Sequence, residues 1–283
     1  MKNQSNTILF SAFSLFFLLA PWSAATSSMP GEVEDEREFD YIAGSEKGPM
    51  HWGELRKEWE ACKKGEMQSP IDLTSRRVKV IPKLGDIQRS YKPSNATLKN
   101  RGHDISLQWD VGSVGSIKIT GTQYFLQQCH WHSPSEHTIN GRRYELELHM
   151  VHVNTDPNVE NKIAVVGLLY NIGRSDAFIS KLMGNIWSMM DKEGERKMGT
   201  IDPREIKMGG KNYLRYMGSL TVPPCTEGVV WTINKKIGTV SKDQIKLLGE
   251  AVHDYAEKNA RPVQQLKKRE IHLYQPNEAA TPN

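Results

Sequence analysis

The amino-acid sequence predicts a mainly β domain with a few helices. Two segments, 117–120 and 141–153, alternate between apolar and polar residues. The second follows an Asn140-Gly141 pair of the kind that forms tight hairpin turns. Residues 163–170 form an unbroken apolar run, which is typical of a strand buried on both faces. With 283 residues, 38% of them hydrophobic, the chain is long enough to bury a sizeable core.

Helical patterns are confined to two segments. Ser241 and Gln244 have the spacing of a capping box, which satisfies backbone N–H groups at the start of a helix. The apolar positions after it repeat near the helical period and are Ile245, Leu248, Val252 and Tyr255. Residues 176–190 predict a second, weaker helix that Gly184 interrupts. We therefore expect two helices beside the strands.

The first residues resemble a targeting signal rather than part of the fold. Lys2 precedes an apolar run over residues 8–20, and small residues follow up to Ala25. This pattern predicts a secretory signal peptide over residues 1–25. The alternative is a membrane anchor, but the run of 13 residues is shorter than the roughly 20 that a bilayer requires.

The remainder is predicted to be one domain over residues 39–274. Residues 26–38 form an acidic lead with little apolar content, which we expect to be mobile, and residues 275–283 form a predicted disordered tail. The net charge is only +4 and no basic stripe is present, so we expect no nucleic-acid partner. No later segment is long enough to anchor the mature chain in a membrane. The oligomeric state, monomer or dimer, is left open.

His130, His132 and His149 are the strongest candidates for metal ligands. On an extended strand, His130 and His132 would project from the same face because side chains alternate. His149 on a neighbouring strand would complete a three-histidine zinc site whose fourth position stays open to water, as in catalytic zinc sites. Gln128 and Glu147 lie two residues before His130 and His149, and we expect each to orient the ligand that follows it. The alternative is that these are ordinary strand residues, which does not account for all five together.

The three cysteines are Cys62, Cys129 and Cys225. The secretory route permits a disulfide, but spacing alone does not select the pair. Cys129 has the opposite parity to the predicted ligands and is interpreted as a small buried thiol, which favours a bridge between the other two. Asn95 begins an Asn-Ala-Thr sequon, a site of N-glycosylation in secreted proteins. Because residues 93–95 are predicted to form a turn, we expect Asn95 to be exposed.

Three motifs resemble those of the α-class carbonic anhydrases. They are residues 135–138, residues 147–152 and residues 218–225. Further matches are Trp52-Gly53, residues 68–72 and residues 261–264. The similarity extends from about residue 40 to residue 274, which is nearly the whole predicted mature chain. The acidic lead and residues 44–49 are most similar to the plant branch.

The resemblance implies a large twisted, mostly antiparallel central sheet with a few peripheral helices. It implies zinc as the cofactor, with His130, His132 and His149 as its ligands. It also implies that the Thr221 hydroxyl forms a hydrogen bond with the attacking oxygen, and that the Glu136 carboxylate orients this hydroxyl.

Three further assignments follow from the same resemblance. His103 corresponds to the imidazole that carries protons between the site and solvent. Cys62 and Cys225 correspond to the disulfide of secreted members. The apolar pocket for carbon dioxide corresponds to Val151, Val165, Leu220, Thr221, Val222, Val229 and Trp231.

The activity implied is the reversible hydration of carbon dioxide to bicarbonate and a proton. Zinc held by three neutral imidazoles lowers the pKa of its water from about 15.7 to about 7, which provides hydroxide at neutral pH. The alternative is a weakly active storage or binding protein on the same fold, as in some plant tuber relatives. Ester hydrolysis is expected as a side activity at most. The expected location is the secretory pathway, ending in the extracellular or cell wall space or, by that route, in the chloroplast stroma.

Two positions depart from the family pattern. Val222 stands where many members have a hydroxyl residue beside Thr221, so one polar contact to bicarbonate or ordered water is expected to be missing. Glu54 follows Trp52-Gly53 where active relatives often have a tyrosine that orders water near the proton shuttle. Because Glu54 replaces this tyrosine, we expect slower proton export from the site.

Overall fold

Strands dominate the fold, as the sequence predicts. The computed structural model describes residues 38–276 with the exception of residues 191 and 193. The predicted signal peptide, the acidic lead up to residue 37 and residues 277–283 of the predicted tail lie outside the described residues. Among those described, no helix is both long enough and apolar enough to cross a membrane.

The strands and helices have the following bounds. The strands are β1 (Val78–Val80), β2 (Gln88–Arg89), β3 (Ser94–Asn100), β4 (Ile105–Trp109), β5 (Ser116–Ile119), β6 (Thr122–His132), β7 (Thr138–Ile139), β8 (Arg142–Arg143), β9 (Leu146–Val153), β10 (Ile163–Ile172), β11 (Gly194–Ile201), β12 (Tyr213–Ser219), β13 (Glu227–Asn234), β14 (Gly238–Val240) and β15 (Ile271–Tyr274). The α-helices are α1 (Trp52–Leu55), α2 (Ala61–Lys64), α3 (Ala177–Trp187) and α4 (Lys242–Glu250).

One large sheet contains thirteen of the described strands. Its main order is β1-β15-β12-β13-β10-β9-β6-β4-β3-β11, with β14 beside β10 and with β5 between β2 and β6. The parallel pairs are β1 with β15, β10 with β13 and β10 with β14, and the other pairs are antiparallel. The predicted mainly β, mostly antiparallel fold is confirmed.

The central strands β9 and β10 separate two apolar layers. Met150 and Val166 belong to a core that also contains the buried faces of α3 and α4. Val151 and Val165 belong to a second cluster on the opposite face. Because side chains alternate along a strand, His149 lies on the same face as Val151. The helices therefore cover one face of the sheet at these strands, and the candidate site occupies the other.

The helices differ from their predictions at their ends. The capping box of Ser241 and Gln244 is present, with both reciprocal hydrogen bonds. Helix α4 ends at Glu250, so Val252 and Tyr255 follow it rather than belong to it. Helix α3 continues through Gly184, whose position has open space around it and whose cost of about 1 kcal/mol relative to alanine is outweighed by four buried apolar side chains of the helix.

The predicted strand over residues 141–153 is divided. Asn140 and Gly141 have positive φ angles of 50° and 78°, and they form the turn between the short strands β7 and β8. The chain then leaves the ladder because the Tyr144 backbone N–H donates to Ser135 Oγ. Strand β9 begins only at Leu146 and is buried throughout.

Candidate metal centre

The three candidate ligands meet across two adjacent strands. His130 on β6 lies directly opposite His149 on β9, and His132 lies two residues further along β6. All three side chains are buried. Their ring centroids are 4.9 Å apart for His130 and His132, 5.1 Å for His130 and His149, and 4.6 Å for His132 and His149. The antiparallel register therefore brings the three rings into one cluster.

One nitrogen of each ring donates a hydrogen bond away from the cluster. His130 Nδ1 lies 2.8 Å from Gln128 Oε1, and His132 Nδ1 lies 2.7 Å from the Asn259 carbonyl oxygen. His149 Nε2 lies 2.8 Å from Glu147 Oε1. Because each partner oxygen accepts, each of these nitrogens carries the proton. The remaining nitrogen of each ring presents a lone pair to the others, as a metal ligand requires.

The spacing and chemistry of these nitrogens fit a zinc ion. His149 Nδ1 lies 3.3 Å from His130 Nε2, and tetrahedral zinc with bonds of 2.0–2.1 Å separates two ligand nitrogens by roughly 3.3–3.4 Å. Among the described residues, His132 Nε2 is buried without a hydrogen-bond partner, which a coordinate bond would satisfy. One atom from each of the three rings lies within 4.8 Å of the others. Three imidazole nitrogens at this spacing therefore suit zinc or a similar metal ion that binds histidine.

Glu147 is held as a carboxylate by four donors. Its Oε2 accepts the backbone N–H groups of Glu136 and His137, each at 2.8 Å. Its Oε1 accepts His149 Nε2–H at 2.8 Å and His137 Nδ1–H at 2.7 Å. Burial raises the pKa of Glu147, but His137 and His149 lower it further, so the pKa lies well below the ordinary 4.5. These hydrogen bonds also account for the proximity of His137, Glu147 and His149, a second set with ligand-like spacing.

The predicted hydrogen bond between Thr221 and Glu136 is not formed. Glu136 Oε1 accepts the Arg261 backbone N–H at 2.9 Å, whereas Oε2 is buried without a hydrogen-bond partner in the described part of the chain. This oxygen instead faces His132 Nε2 at 3.7 Å and His149 Nδ1 at 4.0 Å. Burial lowers the pKa of His132, but the Glu136 carboxylate and the other partners of His132 raise it, and the net shift is upward. Both are the ring nitrogens that face into the histidine cluster, so Oε2 borders that cluster.

Most of the predicted apolar pocket lies in one cluster behind the histidines. Val165 lies beside Val151 on one side and beside Trp231 on the other, in adjacent strands. The Trp231 ring lies 4.8 Å from the His149 ring. The pocket residues in this cluster are Val151, Val165, Leu220, Val229 and Trp231. Thr221 is also buried.

Val222 lies in a different cluster from the other pocket residues. It is buried with Phe39, Trp52, Trp59 and the two bridged cysteines. Its side chain is therefore part of an apolar cluster between the N-terminal segment and the loop after β12.

His103 lies in a position that differs from the one a proton shuttle needs. Its side chain is only 1% exposed, with the Phe39 ring centroid 5.4 Å away and Asp104 Oδ2 3.7 Å from Nε2. Asp104 is itself buried in an ion pair with Arg101, whose Nε lies 2.8 Å from Asp104 Oδ1. A group that exchanges protons with bulk water has to reach it. In this conformation the His103 ring is closed off from solvent, and its assignment as the proton carrier stays a prediction.

Glu54 lies at the surface and not beside the shuttle. Its carboxylate binds Lys63 and lies 2.9 Å from His51 Nδ1, and these contacts lower its pKa to about 2. Tyr41 is one of the aromatic residues near this region, and its ring packs 5.4 Å from that of Trp52. The expected effect of Glu54 on proton export therefore has no contact to support it.

The disulfide between Cys62 and Cys225 is present, with the two Cα atoms 5.0 Å apart, and the prediction is confirmed. Cys129 is a buried free thiol, and burial raises its pKa. Asn95 is exposed, but it lies in strand β3 opposite Thr200 of β11 rather than in a turn. The sequon is thus accessible on a paired strand, one position in from the edge of the sheet.

Two contributors to the site were not predicted from the sequence. The Asn259 carbonyl fixes His132, and the Arg261 backbone N–H fixes Glu136. Both belong to the segment around the Arg261-Pro262-Val263-Gln264 motif, which resembles the family but carries no ligand-type pattern. The sequence therefore identified this segment as a family motif but did not indicate that its backbone contacts the site.

Comparisons with known proteins agree with this geometry. A profile of the family described as eukaryotic-type carbonic anhydrase matches residues 47–275. Alpha carbonic anhydrase 7 of Arabidopsis thaliana is 56% identical over 265 residues, which cover 93% of this chain and 94% of that protein.

Solved structures show the same similarity. The crystal structure of dioscorin complexed with ascorbate has a TM-score of 0.81 at 41% identity, covering 86% of this chain and 100% of that one. A hyperthermostable carbonic anhydrase from an active hydrothermal vent chimney has a TM-score of 0.73 at 34% identity, covering 84% and 100%. The predicted family is confirmed, and this chain belongs to the eukaryotic-type α-carbonic anhydrases, with similarity to plant members.

Proposed function

We propose that the protein catalyses the reversible hydration of carbon dioxide to bicarbonate and a proton with zinc as its cofactor. The observation that carries this proposal is the set of three buried imidazoles, each with one nitrogen bonded to an oxygen acceptor and the other directed into the cluster. Three neutral nitrogen ligands are the arrangement of a catalytic zinc site with one open position.

His130, His132 and His149 would hold the metal through Nε2, Nε2 and Nδ1 respectively. When bound, zinc supplies a Lewis acid that lowers the pKa of water to about 7. Gln128, the Asn259 carbonyl and Glu147 keep the proton of each imidazole on the nitrogen that faces away. Each ring therefore keeps its orientation, with the ligand nitrogen already facing into the cluster.

Thr221 and Glu136 would orient the nucleophile. A threonine hydroxyl that donates to a carboxylate can only accept from the attacking water, and this fixes the lone pair that faces the substrate. Glu136 retains acceptor capacity, because its Oε2 has no hydrogen-bond partner in the described part of the chain. The pairing requires Oε2 to turn from the histidine nitrogens towards the Thr221 hydroxyl.

The apolar cluster would hold carbon dioxide next to the three histidines. Val151, Val165 and Trp231 offer no hydrogen-bond donor to its oxygens on this side, since Trp231 Nε1–H already donates to the Ser219 carbonyl at 2.9 Å. An apolar wall also excludes water from the reacting face. We keep His103 as the proposed proton carrier, on the condition that its ring leaves the contact with Phe39 during turnover.

The decisive experiment measures zinc and activity on the same sample. We expect one zinc ion per chain and hydration of carbon dioxide well above the buffer rate in a stopped-flow assay. Removal of zinc by a chelator should abolish the activity, and re-addition should restore it. One tightly bound zinc ion without hydration above buffer would contradict the proposed function.

A second candidate is a weakly active binding protein on the same fold. The observations that favour it are the 41% identity to dioscorin, whose structure is described as a complex with ascorbate, and the unformed hydrogen bond of Glu136. Calorimetric titration with ascorbate, with bicarbonate as the comparison, would test it. Ascorbate binding in a protein that lacks hydration activity would establish this alternative.

We also propose a secretory route for the protein and N-glycosylation of Asn95. The basic start and short apolar run over residues 1–25 support the first, and the exposed Asn95 side chain supports the second. N-terminal sequencing and glycosidase treatment of the protein isolated from its native source would test both. An intact residue 1 at the N-terminus, or no mass change with glycosidase, would contradict the respective proposal.

A further inference from the structure

A buried hydrogen-bond chain connects the ligand His149 to the strand that precedes Thr221. It continues from Glu147 to His137, whose Nε2 lies 2.6 Å from the Tyr216 hydroxyl. The Tyr216 hydroxyl lies 2.8 Å from Ser69 Oγ. These side chains are all buried, so water does not compete for their hydrogen bonds.

The chain has a defined direction at its first step. Glu147 is a carboxylate and only accepts, so His137 donates from Nδ1. A neutral His137 then presents Nε2 as an acceptor, and the Tyr216 hydroxyl donates to it. The Ser69 hydroxyl in turn donates to Tyr216. Each hydroxyl therefore fixes the proton position of the next group in the direction of Glu147.

The far end of the chain fastens the loop that carries Thr221. Ser69 Oγ accepts the Ser219 backbone N–H at 3.0 Å, and the Ser69 backbone N–H donates to Ser219 Oγ at 2.9 Å. Ser219 Oγ also donates to the Leu220 carbonyl at 2.7 Å. The residue that follows Leu220 is Thr221. One continuous set of hydrogen bonds thus reaches both a ligand and the proposed orienting hydroxyl.

Two glycines beside this chain of hydrogen bonds have no room for a side chain. A Cβ atom at Gly218 would lie 2.2 Å from Ser69 Oγ and 2.8 Å from the Tyr216 ring. A Cβ atom at Gly167 would lie 3.1 Å from Glu147 Oε1. The two glycines allow the backbone to approach the chain closely enough to exclude water from it.

We propose that Tyr216 and Ser69 are positioning residues for the metal, acting through His137 and Glu147 on His149. The inference deepens the proposed function and rests on it. Without the Tyr216 hydroxyl, the buried His137 Nε2 loses its hydrogen-bond donor, so the ring is no longer held from both sides. A less firmly held His137 ring weakens the Nδ1–H hydrogen bond to Glu147 and with it the hold of Glu147 on His149.

The test is the zinc affinity of Tyr216→Phe, measured by competition with a chelator. We expect affinity about tenfold weaker than that of the wild type, the lower end of the effect of changing a residue that orients a metal ligand. The visible spectrum of the cobalt-substituted protein should shift as well, because the field of one nitrogen ligand changes. Ser69→Ala removes the donor to Tyr216 and should weaken zinc binding by a smaller factor, which provides a second variant if Tyr216→Phe does not fold.

Tyr213→Phe is the matched control for a general loss of stability. Tyr213 lies on the same strand β12, is equally buried and donates its hydroxyl to the Gly85 carbonyl at 2.9 Å. We expect this variant to keep the zinc affinity of the wild type. Equal losses of zinc affinity in Tyr213→Phe and Tyr216→Phe would overturn the proposal.

A double variant tests whether the effect passes through Glu147. In a Glu147→Gln background, Tyr216→Phe should cause no further loss of zinc affinity, because the path to His149 is already broken. Losses that multiply would overturn the proposed path. Zinc affinity is measured without carbon dioxide, so failure here differs from failure of the proposed function, in which the wild type binds zinc without hydrating carbon dioxide.

Discussion

The two halves of the candidate site differ in how completely their hydrogen bonds are formed. On the strand half, His130, His132 and His149 lie on β6 and β9, and each has its outward nitrogen bonded at 2.7–2.8 Å. On the loop half, Glu136 Oε2 has no hydrogen-bond partner among the described residues, and His103 is buried beneath Phe39. Strand register fixes side chains through a ladder of backbone hydrogen bonds, whereas loop positions depend on individual contacts. We therefore expect the strand half to control metal binding and the loop half to control turnover.

The largest expected effect is the loss of one ligand from the strand half. His132→Ala removes a nitrogen whose partners are already in place, so the remaining two imidazoles no longer form a three-ligand site. We expect loss of stoichiometric zinc and at least about a 10³-fold fall in kcat/KM, equal to about 4 kcal/mol. Metal analysis after dialysis and stopped-flow hydration measure the two effects.

His272→Ala provides the control for that prediction. His272 is a partly exposed histidine on β15 that lies 3.1 Å from Glu270. The His272→Ala variant should keep both its zinc and its hydration activity. Full activity in His132→Ala would show that the three rings do not act as one metal site.

The second effect concerns the loop half. Thr221→Ala removes the hydroxyl proposed to orient the nucleophile, and we expect kcat/KM to fall by about 10²-fold because an oriented attack is lost. Zinc content should stay at the wild-type value, since Thr221 lies outside the ligand set. Thr221→Ser keeps the hydroxyl and should recover most of the activity. Unchanged turnover in Thr221→Ala would mean that the unpaired state of Glu136 is the working one.

The sequence predicted the contacts of the strand half of the site better than those of the loop half. Alternation along a strand was sufficient to bring Gln128 to His130 and Glu147 to His149, since both relations span only two residues. The third acceptor, the Asn259 carbonyl, is 127 residues from His132 and is a backbone group, which has no residue-type signature. The buried His103 ring packs against Phe39, a contact between two loops that no local pattern encodes. The ion pair of the exposed Glu54 with Lys63 likewise joins residues nine positions apart.

A third prediction separates the metal ligands from another buried histidine of β9. His152 lies on the opposite face of the strand from His149 and bonds to the Tyr91 hydroxyl and the Ala164 carbonyl. Burial lowers the pKa of His152 from 6.5 to about 4. In the unfolded chain the imidazole binds its proton below pH 6.5, but in the folded protein only near pH 4. The unfolded state therefore gains protons first, and folding stability falls as the pH drops through this window.

The magnitude of this effect follows from the linkage between protonation and folding. By about pH 5, His152 should reduce the free energy of unfolding by about 2 kcal/mol relative to pH 7. Urea unfolding of the metal-free protein at a series of pH values should show a shallower pH dependence for His152→Gln than for the wild type. Identical slopes would mean that this imidazole is protonated in the folded state.

The smallest effect is expected at His103, whose burial conflicts with the solvent access that a proton carrier needs. A proton carrier has to accept a proton near the metal and deliver it to buffer, yet the buried His103 ring packs against Phe39 and lies beside the buried Arg101–Asp104 pair. We expect His103→Ala to lower turnover about tenfold at low buffer concentration, below the usual range for a positioned acid or base, and added imidazole should restore it. Phe39→Ala should raise turnover at low buffer because it uncovers the ring, while His51→Ala, at an exposed histidine paired with Glu54, should have no effect. If imidazole restores nothing to His103→Ala and Phe39→Ala changes nothing, protons leave the site by a path that does not include this residue, and the buried position of His103 is structural.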